Sequence, residues 1–172
     1  LMLSELGALD ELVAGRTIAV KVNGTGTGLR HHSLHSKMAH TTHPEVVYAA
    51  CRHFLENGAV GINIMESWPS LDDGDTLAAA MGFNVAEFKA LGNGSQVRFL
   101  NTRNKELDEP NPDDGLDAYA QVDVATGAGD GVPYLFESFY LNKMWVAPKS
   151  DVVVSIAKLK GHEICGITLG MK

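Results

Sequence analysis

A chain of 172 residues with 45% hydrophobic and 20% charged content can enclose one sizeable core, so one α/β domain over residues 1–172 is the default reading. Its formal net charge of -7 excludes a broad phosphate-backbone surface, because nucleic-acid binders gather Lys and Arg on one face or stripe, and any anion site must therefore be local. No apolar run approaches the roughly 18 residues that cross a bilayer, so neither nucleic acid nor membrane is expected as a partner.

The elements follow in chain order. Leu3, Leu6, Leu9, Leu12 and Val13 have helical spacing, and Gly15 stands where that helix would close. Glu5, Asp10 and Glu11 interrupt any export core, so the segment is not a signal peptide. Residues 17–22 form a compact strand, and residues 23–41 a long loop with Gly24, Gly26 and Gly28 at alternate positions. Thr42 is expected to cap the next helix in a box with Glu45, with Pro44 in the first turn where its missing N–H costs nothing. That helix should run to about residue 57 and bury Val46, Val47, Ala50 and Phe54, with His53 at the surface.

Gly58 supplies a left-handed stop, and residues 60–65 form the next strand. Strand, loop, helix and strand make a βαβ unit with parallel strands. Two short helices are expected at 76–81 and 85–91, a strand at 96–100, and a polar loop at 101–115. Residues 117–124 and 136–146 could be strands of unresolved pairing, whereas 152–157 is a buried run and the clearest late strand. The fold class is α/β: a mostly parallel open sheet with flanking helices, layered like a Rossmann domain.

Three constellations could carry chemistry. Asn23-Gly-Thr-Gly-Thr-Gly28 follows a strand, and its glycines would let backbone N–H groups approach an anion. It lacks both a true GxGxxG fingerprint and a GK[ST] triplet, so a flexible loop is the competing reading. Five of the seven histidines, His31, His32, His35, His40 and His43, fall within thirteen positions, a density compatible with a divalent metal held by imidazoles. Their spacing matches no defined ligand frame, and exposed loop histidines are the plain alternative. The third is Lys158-Leu-Lys-Gly-His162 at the end of the late strand, where open α/β sheets bind ligands. Lys21 and Asn23 end the first strand and Glu66-Ser67 the second, so parallel pairing would bring them to that same edge. Cys51 and Cys165 form no CxxC pair, which excludes a thiolate cluster, and they suit a reducing compartment as readily as an exported protein.

Ala19-Val-Lys-Val-Asn23, Thr42-His-Pro-Glu-Val-Val47, Gly58-Ala59 through Met65-Glu-Ser67, and Asp151 through Lys172 resemble, in order and spacing, the motifs of the domain of unknown function 362 family. These are its IKxN-type strand end, its THPEVV-type helix start, its glycine-alanine turn into a strand ending in a GES-like triplet, and its late KLKxH...GxTLxxKN motif. The resemblance adds Thr168 and Lys172 to the group of Lys158, Lys160 and His162. Family members usually begin with a strand before the first helix and continue past the last motif, so the chain resembles an internal fragment. Some members carry ferredoxin-like cysteine clusters or twin-arginine export signals, which this sequence lacks. A redox partner is implied only by that analogy, and export stays open beside a cytoplasmic setting.

The leading expectation is an enzyme or enzyme-like binding domain that holds an anionic small molecule at the strand carboxyl ends. Lys21, Lys158 and Lys172 would supply charge, with Asn23, Thr42 and Thr168 as hydrogen-bonding ligand contacts. His162, Lys160 or Glu66 would carry any proton transfer. One alternative is a metal-handling protein with His40 and His43 as ligands, and another is a non-catalytic partner of an iron-sulfur redox system. The leading reading requires the strands at 17–22, 60–65 and 152–157 to lie side by side in one direction.

Overall fold

Helix α1 (Leu9–Val13) ends at Gly15, whose φ of 70° is the left-handed turn that glycine takes without a Cβ penalty. The chain then enters β1 (Thr17–Lys21), in which Ile18, Ala19 and Val20 are all buried, as suits a strand covered on both faces. The computed structural model describes residues 9–24, 30–31, 34–35, 40–68, 70–103, 119–123, 138–158, 160–162 and 166–168. Within the expected loop the backbone makes a small antiparallel hairpin of β2 (Arg30–His31) and β3 (Leu34–His35).

Helix α2 (Pro44–Glu56) has Pro44 in its first turn as expected, but its cap is His43 rather than Thr42. The His43 Nδ1 accepts from the Glu45 N–H at 3.3 Å, because the Thr42 hydroxyl is drawn away to the strand ends. The buried stripe is Val47, Ala50, Cys51 and Phe54, and Val46 is 55% exposed. One residue is a rotation of about 100°, so a stripe centred on Val47 and Cys51 turns Val46 to solvent. His53 is not at the surface either, since it is half-buried against Asp10, with Nε2 to Oδ1 at 3.1 Å. The Cys51 thiol is free, and burial pushes its pKa up to about 12, which makes it an inert packing residue.

Strand β4 (Gly61–Glu66) is followed by α3 (Gly74–Ala80) and α4 (Val85–Lys89), and then by β5 (Val97–Asn101). Gly74 lies directly on the β5 backbone, where an added Cβ would come 2.7 Å from the Leu100 nitrogen. Asp73 caps α3: the Thr76 N–H donates to Oδ1 at 2.9 Å and the Thr76 hydroxyl to Oδ2 at 2.7 Å. These bonds, the backbone one first, hold the Asp73 carboxyl below its ordinary range. Its contribution is therefore full above the unfolded carboxyl value, about 3.9, and is lost as pH falls through the lower folded one. Asp73→Ala is expected to cost about 1 kcal/mol at neutral pH, and the gap from wild type should close as pH drops through that window in urea denaturation.

The segments at 117–124 and 136–146 contribute β6 (Tyr119–Asp123) and β7 (Ser138–Asn142), which pair antiparallel with each other in a two-stranded sheet of their own. The second strand is shorter than expected because Lys143–Trp145 turns into a 3-10 helix capped by Asn142, whose Oδ1 accepts the Met144 N–H at 2.9 Å. Last come β8 (Val152–Ser155), β9 (Lys160–His162) and β10 (Gly166–Thr168), the final two an antiparallel pair.

The main sheet has the order β5-β4-β1-β8, and every neighbouring pair in it is parallel. The three strands on which the functional reading depends, β4, β1 and β8, are thus adjacent and point one way. On one face Ile18, Val20, Ile62, Ile64 and Phe99 pack under α2, α3 and α4, with Phe83, Phe88 and Phe99 in mutual contact at centroid separations of 5.3 to 5.5 Å. On the other, Ala19, Met65 and Leu100 meet Met144, with Trp145 packed against them. β8 departs from the expected buried run: Val152 and Val154 are half-buried and Val153 is 54% exposed. Among the described residues no strand pairs with its outer flank, and an apolar sequence does not reveal such an edge place.

A candidate strand-end cleft

The chain passes from β1 to β4 to β5 in one direction across the sheet, and then β8 is laid on the opposite side of β1. The boundary between β1 and β8 is therefore a topological switch point, where connections leave in opposite directions and a crevice opens beyond the strand carboxyl ends. Lys21 and Ser155, the last residues of β1 and β8, are register partners across this boundary. A cleft of about 440 Å³ lies there, lined by Lys21, Glu66, Ser67, Thr102 and Ser155 from the ends of all four strands. Val153 of β8, Leu141 of β7 and Trp145 of the 3-10 turn that follows β7 also line it.

Glu66 organises this rim. Its carboxylate accepts from the Lys21 ammonium at 3.2 Å, from the Gly24 N–H at 2.8 Å and from the Ser67 N–H at 2.8 Å. The Glu66 side chain is 9% exposed and that of Lys21 is 36% exposed, so the carboxylate is enclosed while the ammonium still reaches solvent. Such a burial is tolerable because every oxygen of the carboxylate has donors. Gly24 is required for this approach, since an added Cβ would collide with the indole nitrogen of Trp68 and lie 2.8 Å from Glu66 Cγ. Trp68 is fully buried and donates its indole N–H to the Met81 sulfur.

Asn23 and Thr42 tie the base of the loop that separates β1 from α2. The Asn23 N–H donates to the Thr42 hydroxyl oxygen at 2.8 Å, the Thr42 N–H donates to the Asn23 carbonyl at 3.0 Å, and the Asn23 amide donates to the His40 carbonyl. The Thr42 hydroxyl in turn donates to the Ile156 carbonyl at 2.8 Å, which couples the ends of β1 and β8. These two residues brace the rim, and the cleft lining does not include them.

The remaining expected site residues are placed unequally. Lys158 is half-buried, three residues beyond Ser155. Lys160 and His162 bound β9, and Thr168 is the register partner of Lys160. The side chains of Lys160, His162 and Thr168, and the whole of Lys172, lie outside the described residues. Among the described residues no group of three or more His, Cys, Asp or Glu could hold a metal ion. His43 is engaged in its cap, His40 is half-buried, and the side chains of His31, His32 and His35 are not described.

Sequence reasoning missed Thr102, Leu141, Trp145, Val153 and Ser155. Thr102 and Ser155 could have been found by the rule that selected Lys21 and Glu66, since each stands at or just past the end of a strand. Trp145 could not, because the apolar run around it reads as strand.

Fold and site define an open parallel α/β protein with a cleft at its strand carboxyl ends. Within that class, the chain belongs to the family described as Domain of unknown function (DUF362), whose model matches residues 18–172 and so takes in every cleft residue. No curated protein and no solved structure matches the chain. Among the described residues no helix is long and apolar enough to cross a membrane.

Proposed function

We propose that this chain binds a small anionic molecule in the strand-end cleft. The observation that carries the reading is the convergence of all four strand ends on one cavity at the switch point, with the Lys21 ammonium on its wall. The Lys21 ammonium is held by the Val22 carbonyl at 2.9 Å and by both Glu66 oxygens at 3.4 and 3.2 Å, yet its side chain is 36% exposed, which leaves it open to an anion in the cleft, and Ser67, Thr102 and Ser155 line the same cleft. Lys158 adds a second cation within about 11 Å of chain beyond Ser155. Lys160, His162, Thr168 and Lys172 follow on the same connection, with His162 and Lys160 as the groups for proton transfer if the bound molecule is a substrate. Glu66 serves this site as a positioning residue, because Lys21 and two backbone amides already use its oxygens.

Trp145 is a built-in reporter, since the chain has two tryptophans and the other, Trp68, is fully buried. Titration with carboxylates and inorganic phosphate should change the emission saturably, and Trp145→Phe should abolish the change. Lys158→Met should weaken binding about tenfold, the scale of one charge-assisted contact. The absence of any saturable response to carboxylate or phosphate would overturn the reading.

A further inference from the structure

We infer that the ligand is a monocarboxylate with an apolar body rather than a nucleotide or other polyphosphate, an inference that rests on the anion-binding reading above. Charge decides the first half. Among the described residues that line the cleft Lys21 is the one cation, Lys158 standing three residues beyond Ser155 and outside that lining, and Lys21 lies 3.2 Å from Glu66, which lines the same cleft. The pair is neutral, so a single negative charge can share the ammonium, whereas a dianionic or more highly charged group would also face the Glu66 carboxylate.

The two described N–H groups after β1 point the same way. A phosphate-cradling loop presents its backbone N–H groups to the anion. The Asn23 N–H is instead donated to the Thr42 hydroxyl and the Gly24 N–H to Glu66, each at 2.8 Å.

Shape decides the second half. Leu141, Trp145 and Val153 line the same cleft and give it an apolar wall that includes an indole. Val153 is 54% exposed on a parallel strand, where a side chain would ordinarily be covered. A ring or branched chain laid against these three would bury that surface while its carboxylate met Lys21 and the hydroxyls of Ser67, Thr102 and Ser155. The volume of about 440 Å³ is in the lower part of the range of about 300–1,000 Å³ usual for small-molecule sites.

Isothermal titration with phenylacetate, acetate, 2-phenylethanol, inorganic phosphate and ATP tests this. Phenylacetate should bind about tenfold or more tightly than each of the others, because only it offers both the single charge and the ring. Val153→Asp, a change at an exposed position that the fold should tolerate, should weaken phenylacetate about tenfold through like-charge repulsion at the wall. Tighter binding of phosphate or ATP than of phenylacetate would overturn this inference and leave the anion reading standing. Equal affinity for 2-phenylethanol, or indifference to Val153→Asp, would overturn it as well. Binding by none of the anions would remove both readings together.

Discussion

Replacing Gly24 by Ala is expected to lower the melting temperature by about 6–12 °C. The added methyl would meet the indole of Trp68 and come 2.8 Å from Glu66 Cγ. Trp68 is fully buried among Met81 and the helical core, so it has no free volume to move into. Overpacking of this kind costs about 3 kcal/mol, and for a domain of this size each kcal/mol is worth about 2–4 °C. The strain does not come from backbone dihedrals, because Gly24 is not among the positive-φ glycines. Thermal unfolding followed by circular dichroism measures it. A shift smaller than about 2 °C would mean that the first turn of the glycine segment does not sit against Trp68.

Truncation of Glu66 to Ala should have a comparable effect by a different route. It removes the acceptor from the N–H groups of Gly24 and Ser67, and a buried donor left without a partner costs about 1–3 kcal/mol. The lost attraction to Lys21 adds little, because that ammonium is over a third exposed and water screens it. The sum is about 2–4 kcal/mol, or a fall of about 4–16 °C. Glu66→Gln keeps one carbonyl acceptor and should lose about half as much. A double-mutant cycle with Lys21→Met should return a coupling energy under about 1 kcal/mol. A larger coupling would show that the ion pair, not the two amides, anchors this rim.

The brace formed by Asn23 and Thr42 works at the other side of the boundary, where Thr42 reaches the Ile156 carbonyl. Together with the Glu66 contacts it holds the ends of β1, β4 and β8 as one rim.

Much of this arrangement was legible in the residues. Alternation between apolar runs and glycine-terminated helices located β1, α2, β4, α3, α4, β5 and β8, because burial on a sheet and on a helix imposes different periods on a sequence. The βαβ pattern made β1 and β4 parallel, and from that alone Lys21 and Glu66 were expected on one edge. Their contact at 3.2 Å follows from the register that pairs Lys21 with Met65.

Other features were decided only by tertiary contacts. Thr42 has the chemistry and position of a helix cap, yet the strand ends compete for its hydroxyl and His43 takes its place. The run at 152–157 reads as fully buried, but its sheet position leaves Val153 open, since exposure depends on neighbours that local sequence does not encode. Trp145 looks like part of a strand until Asn142 caps a 3-10 turn and lays it along the cleft.

By itself, then, the sequence determined the segments that become β1, α2, β4, α3, α4, β5 and β8 and the carboxyl edge at which Lys21 and Glu66 stand, because these follow from short-range periodicity and the direction of the chain. The tertiary structure alone decided the order β5-β4-β1-β8, the switch point beside β1 and the apolar wall of Leu141, Trp145 and Val153. Those depend on packing between segments more than a hundred residues apart, where many orders satisfy the same local pattern and only the shared core selects one.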